Sequence, residues 1–283
     1  MAPLQSSDGE LEKFNTYINQ SISDANIAGM AVAIVSGDSI IFTQGYGYSN
    51  IQTKEPFTPN TVINIASISK TFVGVALMNL VENGLISLDE DVNTFLPFKV
   101  QNPHLPESII TLRHLMSHSS GIQDNQKVYL PSYHYGTDSP IPLGEFLADY
   151  LSPDGTHYSK KNFTKSNPGG NFVYSNIGAG LAGDIVERVS GKPLNVFTGD
   201  VIFKPLKMNN TCWFLSEMDL AKHSRLYESK NNNTLLDNID LYGLTTYPDG
   251  GVRTTVADLS YYLLCIMNKG LYKGTRILKE ETV

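Results

Sequence analysis

One helix constrains this chain more than any other feature, because its first turn carries reactive groups. Residues Ala66 to Glu82 place Phe72, Val75, Ala76, Met78, Leu80 and Val81 on apolar helical surface. Thr58-Pro59-Asn60 breaks the chain before this run, and Asn83-Gly84 stops it. The helix opens on Ser67-Ile68-Ser69-Lys70, an S-x-x-K sequence. Residues i and i+3 share one helix face, so the Lys70 amine falls beside the Ser67 hydroxyl. The first turn of a helix also offers free backbone N–H groups and a positive end, which favour developing negative charge. Serine is a weak nucleophile until a base removes its proton, and a lysine serves as that base only in a partly buried site. The bland alternative is a helix-capping serine with a solvated lysine.

The rest of the chain supplies the frame. Leu11, Phe14, Ile18 and Ile22 recur at helical spacing, giving an N-terminal amphipathic helix. Two β-rich runs, Met30 to Val35 and Ser39 to Thr43, flank Ser36-Gly37-Asp38 and predict a hairpin that runs out in Gly45-Tyr46-Gly47-Tyr48. Thr111 to His118 reads as a short helix closed by Ser119-Ser120-Gly121. Gln123 to Gly170 is rich in Pro, Gly, Ser, Tyr and Asp and is expected to be a long irregular stretch. Asn176 to Ser190 is helical and ends at Gly191, and Thr254 or Thr255 caps a last helix, Val256 to Met267.

Composition narrows the partners. The chain has 283 residues and a formal net charge of −7, and no basic run occurs in it. Nucleic acids and anionic membranes need clustered Lys and Arg, so neither is expected as a partner. The apolar stretch Ile27 to Val35 is too short to span a bilayer, so no transmembrane segment is expected. Met1 to Phe14 contains no apolar signal-peptide core, which makes the cytoplasm the default compartment. Cys212 and Cys265 can form one bridge, but two buried free thiols are the expectation. Four N-x-S/T sequons, at Asn19, Asn162, Asn209 and Asn232, carry little weight in an Asn-rich chain. No H-E-x-x-H, C-x-x-C or G-x-S-x-G occurs, so neither a metal site nor a hydrolase elbow is expected. His118 reads as a helix-end residue satisfied by terminal carbonyls.

Tyr174-Ser175-Asn176 strengthens the chemical reading of S-x-x-K. A phenol can share a proton with Ser67 and Lys70, and the Asn amide can orient the lysine or a substrate amide. Tyr17-Ile18-Asn19 and Tyr48-Ser49-Asn50 match the same pattern, but they lie in the first helix and at the hairpin end, where structural roles are expected.

With these residues in place, the sequence resembles the class C β-lactamase and penicillin-binding-protein-like serine hydrolases, a group that includes esterases and D-amino-acid peptidases. The resemblance runs from about Leu11 to the end through ordered stretches. They are Gly45 to Tyr48, Ile65 to Phe72, Leu115 to Gly121, Pro168 to Asn176, Val186 to Leu194 and Gly250 to Thr255. It implies that Ser67 is the acylated nucleophile, Lys70 its proton acceptor and Tyr174 the acid/base for the leaving group and deacylating water. Asn176 would help hold Lys70 and the substrate, and the Ser67 N–H would be one oxyanion donor. Gln123 is a candidate for binding a substrate amide. Gly250 would lie on the substrate-facing loop, where class C β-lactamases resemble one another in carrying a tyrosine, so a dedicated β-lactamase is disfavoured. The resemblance implies no cofactor and a small-molecule ester, amide or β-lactam substrate.

The implied fold is α/β plus all-α, with an antiparallel sheet flanked by helices and an inserted helical region. Residues 1–60 and 248–283 would form the α/β part, and residues 61–247 the mainly helical part. The family's third motif, H-x-G or K-T-G on a strand after the last helix, is not found beyond Met267 in this sequence. The expectation is therefore a C-terminally shortened form without several strands and a terminal helix. Family members are often extracytoplasmic, which stands against the cytoplasmic default. The competing function is a non-catalytic sensing or binding module that keeps the pocket.

Overall fold

A computed structural model describes residues 8–230 and 235–283; the Asn232 sequon and the first seven residues lie outside this range. Helix α1 (Asp8–Asp24) forms from the N-terminal amphipathic pattern. It packs on the hairpin of β1 (Gly29–Ser36) and β2 (Ser39–Asn50), where Phe14 meets Phe42 edge-on at 5.5 Å and the Tyr46 hydroxyl donates to Asn15 Oδ1 at 2.5 Å. The hairpin is antiparallel, with Met30 opposite Tyr46 and Ala33 opposite Thr43. Its second strand runs further than the sequence suggests, because Tyr48 and Asn50 pair with β3 (Glu55–Pro56). The Gly-Tyr-Gly-Tyr end follows from sterics. A Cβ on Gly45 would stand 1.9 Å from the Phe57 carbonyl oxygen, and Gly47 has φ +67°.

Strand β4 (Ile63–Asn64) delivers the chain to a 3₁₀ turn, Ala66–Ile68, and then to α2 (Ser69–Glu82). Helix α2 is a central strut, with Phe72, Ala76, Leu77 and Leu80 fully buried. Next come α3 (Leu112–Met116) and α4 (Gln126–Tyr129), then β5 (Tyr133–Tyr135) and α5 (Leu143–Leu151). The segment Gln123 to Gly170 is thus only partly irregular. Leu143, Phe146, Leu147, Tyr150 and Leu151 of α5 are buried at helical spacing, which outweighs the surrounding turn-rich composition. Helix α6 (Asn176–Ser190) packs its buried Ile177, Leu181, Ala182 and Ile185 into the core that α2 shares. It is capped by the Ser175 hydroxyl, which accepts from Gly178 N at 2.9 Å, and it ends at Gly191 with φ +67°.

Helix α7 (Leu194–Thr198) runs into a π-helical turn, Gly199–Phe203. The hairpin of β6 (Leu226–Lys230) and β7 (Leu235–Ile239) was not foreseen from the sequence. Strand β8 (Tyr242–Leu244) pairs with β5, and β9 (Arg253–Thr254) pairs with β4. Helix α8 (Val256–Met267) starts at Thr255, whose hydroxyl accepts from Asp258 N at 3.1 Å. A short hairpin of β10 (Leu271–Tyr272) and β11 (Thr275–Arg276) follows. The region 61–247 therefore mixes short strands with its helices.

Arg253 is 1% exposed and serves as an internal tie. Its guanidinium donates to the carbonyls of Trp213 and Gly251, each at 2.8 Å, and to that of Tyr242. Cys212 and Cys265 are free thiols, pushed up to about 12 and about 11 by burial. Asn162 is fully buried, with its amide donating to the Tyr150 and His157 carbonyls, so that sequon is used by the fold. Among the described residues, no helix is long and apolar enough to cross a membrane.

Candidate active site

The nucleophile candidate sits where two distant segments pin a turn. Ile65 N donates to the Val252 carbonyl at 3.1 Å, and Val252 N donates to Oγ of the fully buried Ser69 at 2.9 Å. Ala66, between them, is held at φ +45°. A non-glycine residue in the left-handed region costs about 1–2 kcal/mol, so the surrounding bonds must enforce the turn. The result is that Ser67 is exposed to solvent while Ser69, two residues on, is not. Among the described residues, the Ser67 N–H donates to no backbone carbonyl outside its own turn.

Lys70 follows one helical step later, as the spacing predicts, and its Nζ lies 3.0 Å from Ser67 Oγ. Nζ also donates to Asn176 Oδ1 at 2.8 Å and to the Asp249 carbonyl at 2.6 Å. Three acceptors match the three N–H donors of an ammonium group. The Tyr174 hydroxyl donates to Ser67 Oγ at 2.7 Å, and the Tyr174 ring centroid lies 4.9 Å from Lys70 Nζ, within cation–π reach. Four side chains predicted from the sequence, Ser67, Lys70, Tyr174 and Asn176, are thus brought together.

His118 is placed differently from the sequence expectation. Its φ of +51° turns the ring away from the helix-end carbonyls and onto Tyr174, with ring centroids 4.5 Å apart. Its Nδ1 accepts from Ser175 N at 3.2 Å, which puts any proton of the neutral ring on Nε2. Burial and the nearby Lys70 charge hold the imidazole below its usual range, which favours the neutral ring.

Gln123 and Gly250 occupy other positions around the site. The Gln123 amide donates to the carbonyls of Lys161 and Phe163, at 3.0 and 3.2 Å, which fastens its own loop. Gly250 does approach the nucleophile turn. It is buried, and a Cβ placed there would lie 3.3 Å from Leu244 Cδ1 and 3.7 Å from the Ala66 carbonyl carbon, in contact with the turn rather than with solvent.

Sequence reasoning missed three residues. Asp124 accepts from Asn176 Nδ2 at 2.8 Å, from Asn176 N at 2.9 Å, from Ile177 N at 3.1 Å and from Ser175 Oγ at 3.3 Å. A carboxylate here also faces the positive end of α6. Asp249 is 2% exposed, and its carboxyl oxygens accept from the Tyr129 hydroxyl at 3.2 and 3.3 Å. Burial pushes the Asp249 carboxyl up to about 7, and the same burial holds the Tyr129 phenol above its usual range. The only advance signal was that Asp124 follows the Ser119-Ser120-Gly121 turn and Asp249 precedes Gly250-Gly251.

A cleft of about 250 Å³ opens beside Lys70, lined by Val73, Gly74, Leu115, Met116 and Ala179. Phe172, 72% exposed, stands edge-on to His118 at 5.7 Å. A polar constellation at the mouth of an apolar cleft suits a ligand with one reactive carbonyl and an apolar body.

Comparison with known proteins fits this geometry. The family model described as Beta-lactamase matches residues 14–283. The protein named Protein flp, from Staphylococcus aureus strain MRSA252, is 26% identical over 261 residues, which is 91% of this chain and 49% of that protein. Among solved structures, the octameric penicillin-binding protein homologue from Pyrococcus abyssi superposes with a TM-score of 0.80 at 28% identity, covering 96% of this chain and 58% of that one. EstCE1, described as a hydrolase with promiscuous acyltransferase activity, superposes with a TM-score of 0.74 at 19% identity, covering 98% of this chain and 76% of that one. The chain spans about half the length of the curated relatives it matches.

Proposed function

Because the chain belongs to the beta-lactamase family, we propose that it is a serine hydrolase that forms an acyl-enzyme on Ser67 from a small ester, amide or β-lactam. The observation that carries this reading is Ser67 Oγ held between Lys70 Nζ at 3.0 Å and the Tyr174 hydroxyl at 2.7 Å. A nucleophile needs a base within hydrogen-bond reach and a third group that orients that base. Asn176 and the Asp249 carbonyl serve as the orienting groups.

The steps follow from these contacts. The reaction starts from Lys70 as the free amine, whose two N–H groups go to the Asn176 and Asp249 oxygens and whose lone pair takes the Ser67 proton as Oγ attacks the carbonyl carbon; the same two oxygens then stabilise the ammonium that forms. The Ser67 N–H faces the developing oxyanion, where a preorganised donor contributes most. Tyr174 passes the proton to the departing alcohol or amine as the C–O or C–N bond breaks. Water then attacks the acyl-serine with the proton transfers reversed, and Ser67 is regenerated. With glycine at position 250, where the class C β-lactamases it resembles carry a tyrosine, the reading is a general ester or amide hydrolase rather than a dedicated β-lactamase.

Intact-mass analysis tests the proposal, with the protein and a Ser67→Ala control mixed with a penicillin and with a p-nitrophenyl ester. An adduct on the native protein alone supports acylation at Ser67. No adduct from either reagent would favour a binding module that keeps the pocket without the chemistry.

A further inference from the structure

Resting on that reading of the site, we infer that Asp124 and Asp249 are positioning residues that hold Lys70 from two sides, tied to each other through the single segment Asp124–Tyr129. Two of the three acceptors on Lys70 Nζ are Asn176 Oδ1 and the Asp249 carbonyl, which lie 106 and 179 residues from it in sequence. Both are fixed by this one short segment. At its start, Asp124 takes both the backbone and the side-chain N–H groups of Asn176. That fixes the amide with Nδ2 toward Asp124 and Oδ1 toward Lys70; a reversed amide would face an ammonium with its own donors. At its end, the Tyr129 hydroxyl spans both carboxyl oxygens of Asp249, whose carbonyl receives Lys70.

The segment is itself anchored. Asn125 N donates to the Tyr150 hydroxyl at 2.6 Å, that hydroxyl donates to the Gln123 carbonyl at 2.9 Å, and Asn125 Nδ2 donates to Asn162 Oδ1 at 3.1 Å. The two arms differ in one respect. Asp124 is spent on N–H donors of α6 and its cap, whereas the Asp249 carboxyl is buried with a phenol for a partner. The ionisable groups that face Asp249 are Lys70 from α2, Asp124 and Tyr129 from the segment, Tyr133 from β5 and Tyr242 from β8. Lys70 is the one cation among these, and its charge favours the ionised form of Asp249 against the burial that opposes it. The Asp249 arm thereby holds Lys70 through a residue whose own charge changes near neutral pH, and the Asp124 arm sets the place of the amine.

The test uses the full chain and its Asp249→Asn, Tyr129→Phe and Asp124→Asn variants, with acylation by a p-nitrophenyl ester followed from pH 5 to pH 9. The expected wild-type profile contains an ionisation near neutral pH that is missing in Asp249→Asn and displaced upward in Tyr129→Phe. Asp124→Asn is expected to slow acylation by about ten- to a hundredfold at every pH, as misplacement of a catalytic group does. A purely structural role would scale the rates and leave the profiles superimposable, and that result overturns the inference for Asp249. Undiminished acylation in Asp124→Asn overturns it for Asp124. A second readout does not need turnover: reductive methylation of Lys70, followed by peptide mass at pH 7.5. Asp249→Asn should speed it by about threefold or more through loss of the opposing charge; an unchanged rate overturns the inference. If no variant is acylated, wild type included, but methylation responds, then the hydrolase reading fails while the positioning role stands.

Discussion

Replacing Asp249 with Asn should make the protein more stable at pH 8 and leave it nearly unchanged at acid pH. The carboxyl is 2% exposed, meets the phenol of Tyr129, and is pushed from an ordinary value of 3.8 to about 7 by burial. An acid whose folded value is raised holds its proton in the folded state while the unfolded chain has already released it. Folding stability therefore falls as pH climbs from about 4 and levels off above about 7. Each pH step in that interval is worth about 1.4 kcal/mol, so the full loss is about 4 kcal/mol. Roughly 3 kcal/mol of it falls between pH 5 and pH 8. Asparagine keeps the size and still accepts from Tyr129, but it has no proton to lose. Urea unfolding at pH 5, 6, 7 and 8 on both proteins measures the difference directly. The stability gap between variant and wild type should widen from pH 5 to pH 7 and change little from pH 7 to pH 8, with Tm separating by roughly 5 to 10 °C at pH 8. A gap that stays constant across this range would refute the reasoning, because it would mean that Asp249 does not change its charge there.

Other consequences are simpler to check. Lys70→Ala and Tyr174→Phe should each lower the acylation rate by orders of magnitude with little change in Tm, and near-normal rates in Lys70→Ala would sink the mechanism. Gly45→Ala should be strongly destabilising in thermal melts, since its Cβ would lie 1.9 Å from the Phe57 carbonyl oxygen. Leu77→Ala, at a fully buried position of α2, should cost about 2–5 kcal/mol in urea unfolding. Thr255→Ala removes the α8 cap that accepts from Asp258 N and should cost about 1 kcal/mol by the same assay.

Some of this molecule is written locally and some is not. The hairpin, α1, α6 and α8 follow from periodicity and caps within a few residues, and Lys70 falls beside Ser67 because i and i+3 share a helix face. Tyr174 and Asn176 were found through a short motif that travels with S-x-x-K, although 107 residues separate Tyr174 from Ser67. Asp124, Tyr129 and Asp249 have no such marker. Each is an ordinary loop or helix-end residue until the fold brings together chain positions that lie 52 and 120 residues apart. His118 was misread for a related reason: a left-handed backbone, not its neighbours in sequence, decides where its ring points. Helix α5 shows the opposite failure, in which a clear apolar period was overlooked amid Pro and Gly.

Ala66 has a consequence of another kind. Its left-handed backbone lies between the two bonds that pin the turn and sets the direction in which Ser67 leaves it. Glycine would adopt that angle freely but would also let the turn relax, and a β-branched residue would resist the angle altogether. A map of tolerated substitutions across this chain should therefore show position 66 almost as intolerant as position 67. Read chemically, such a map would mistake it for a substrate contact, when what the residue sets there is a direction in space.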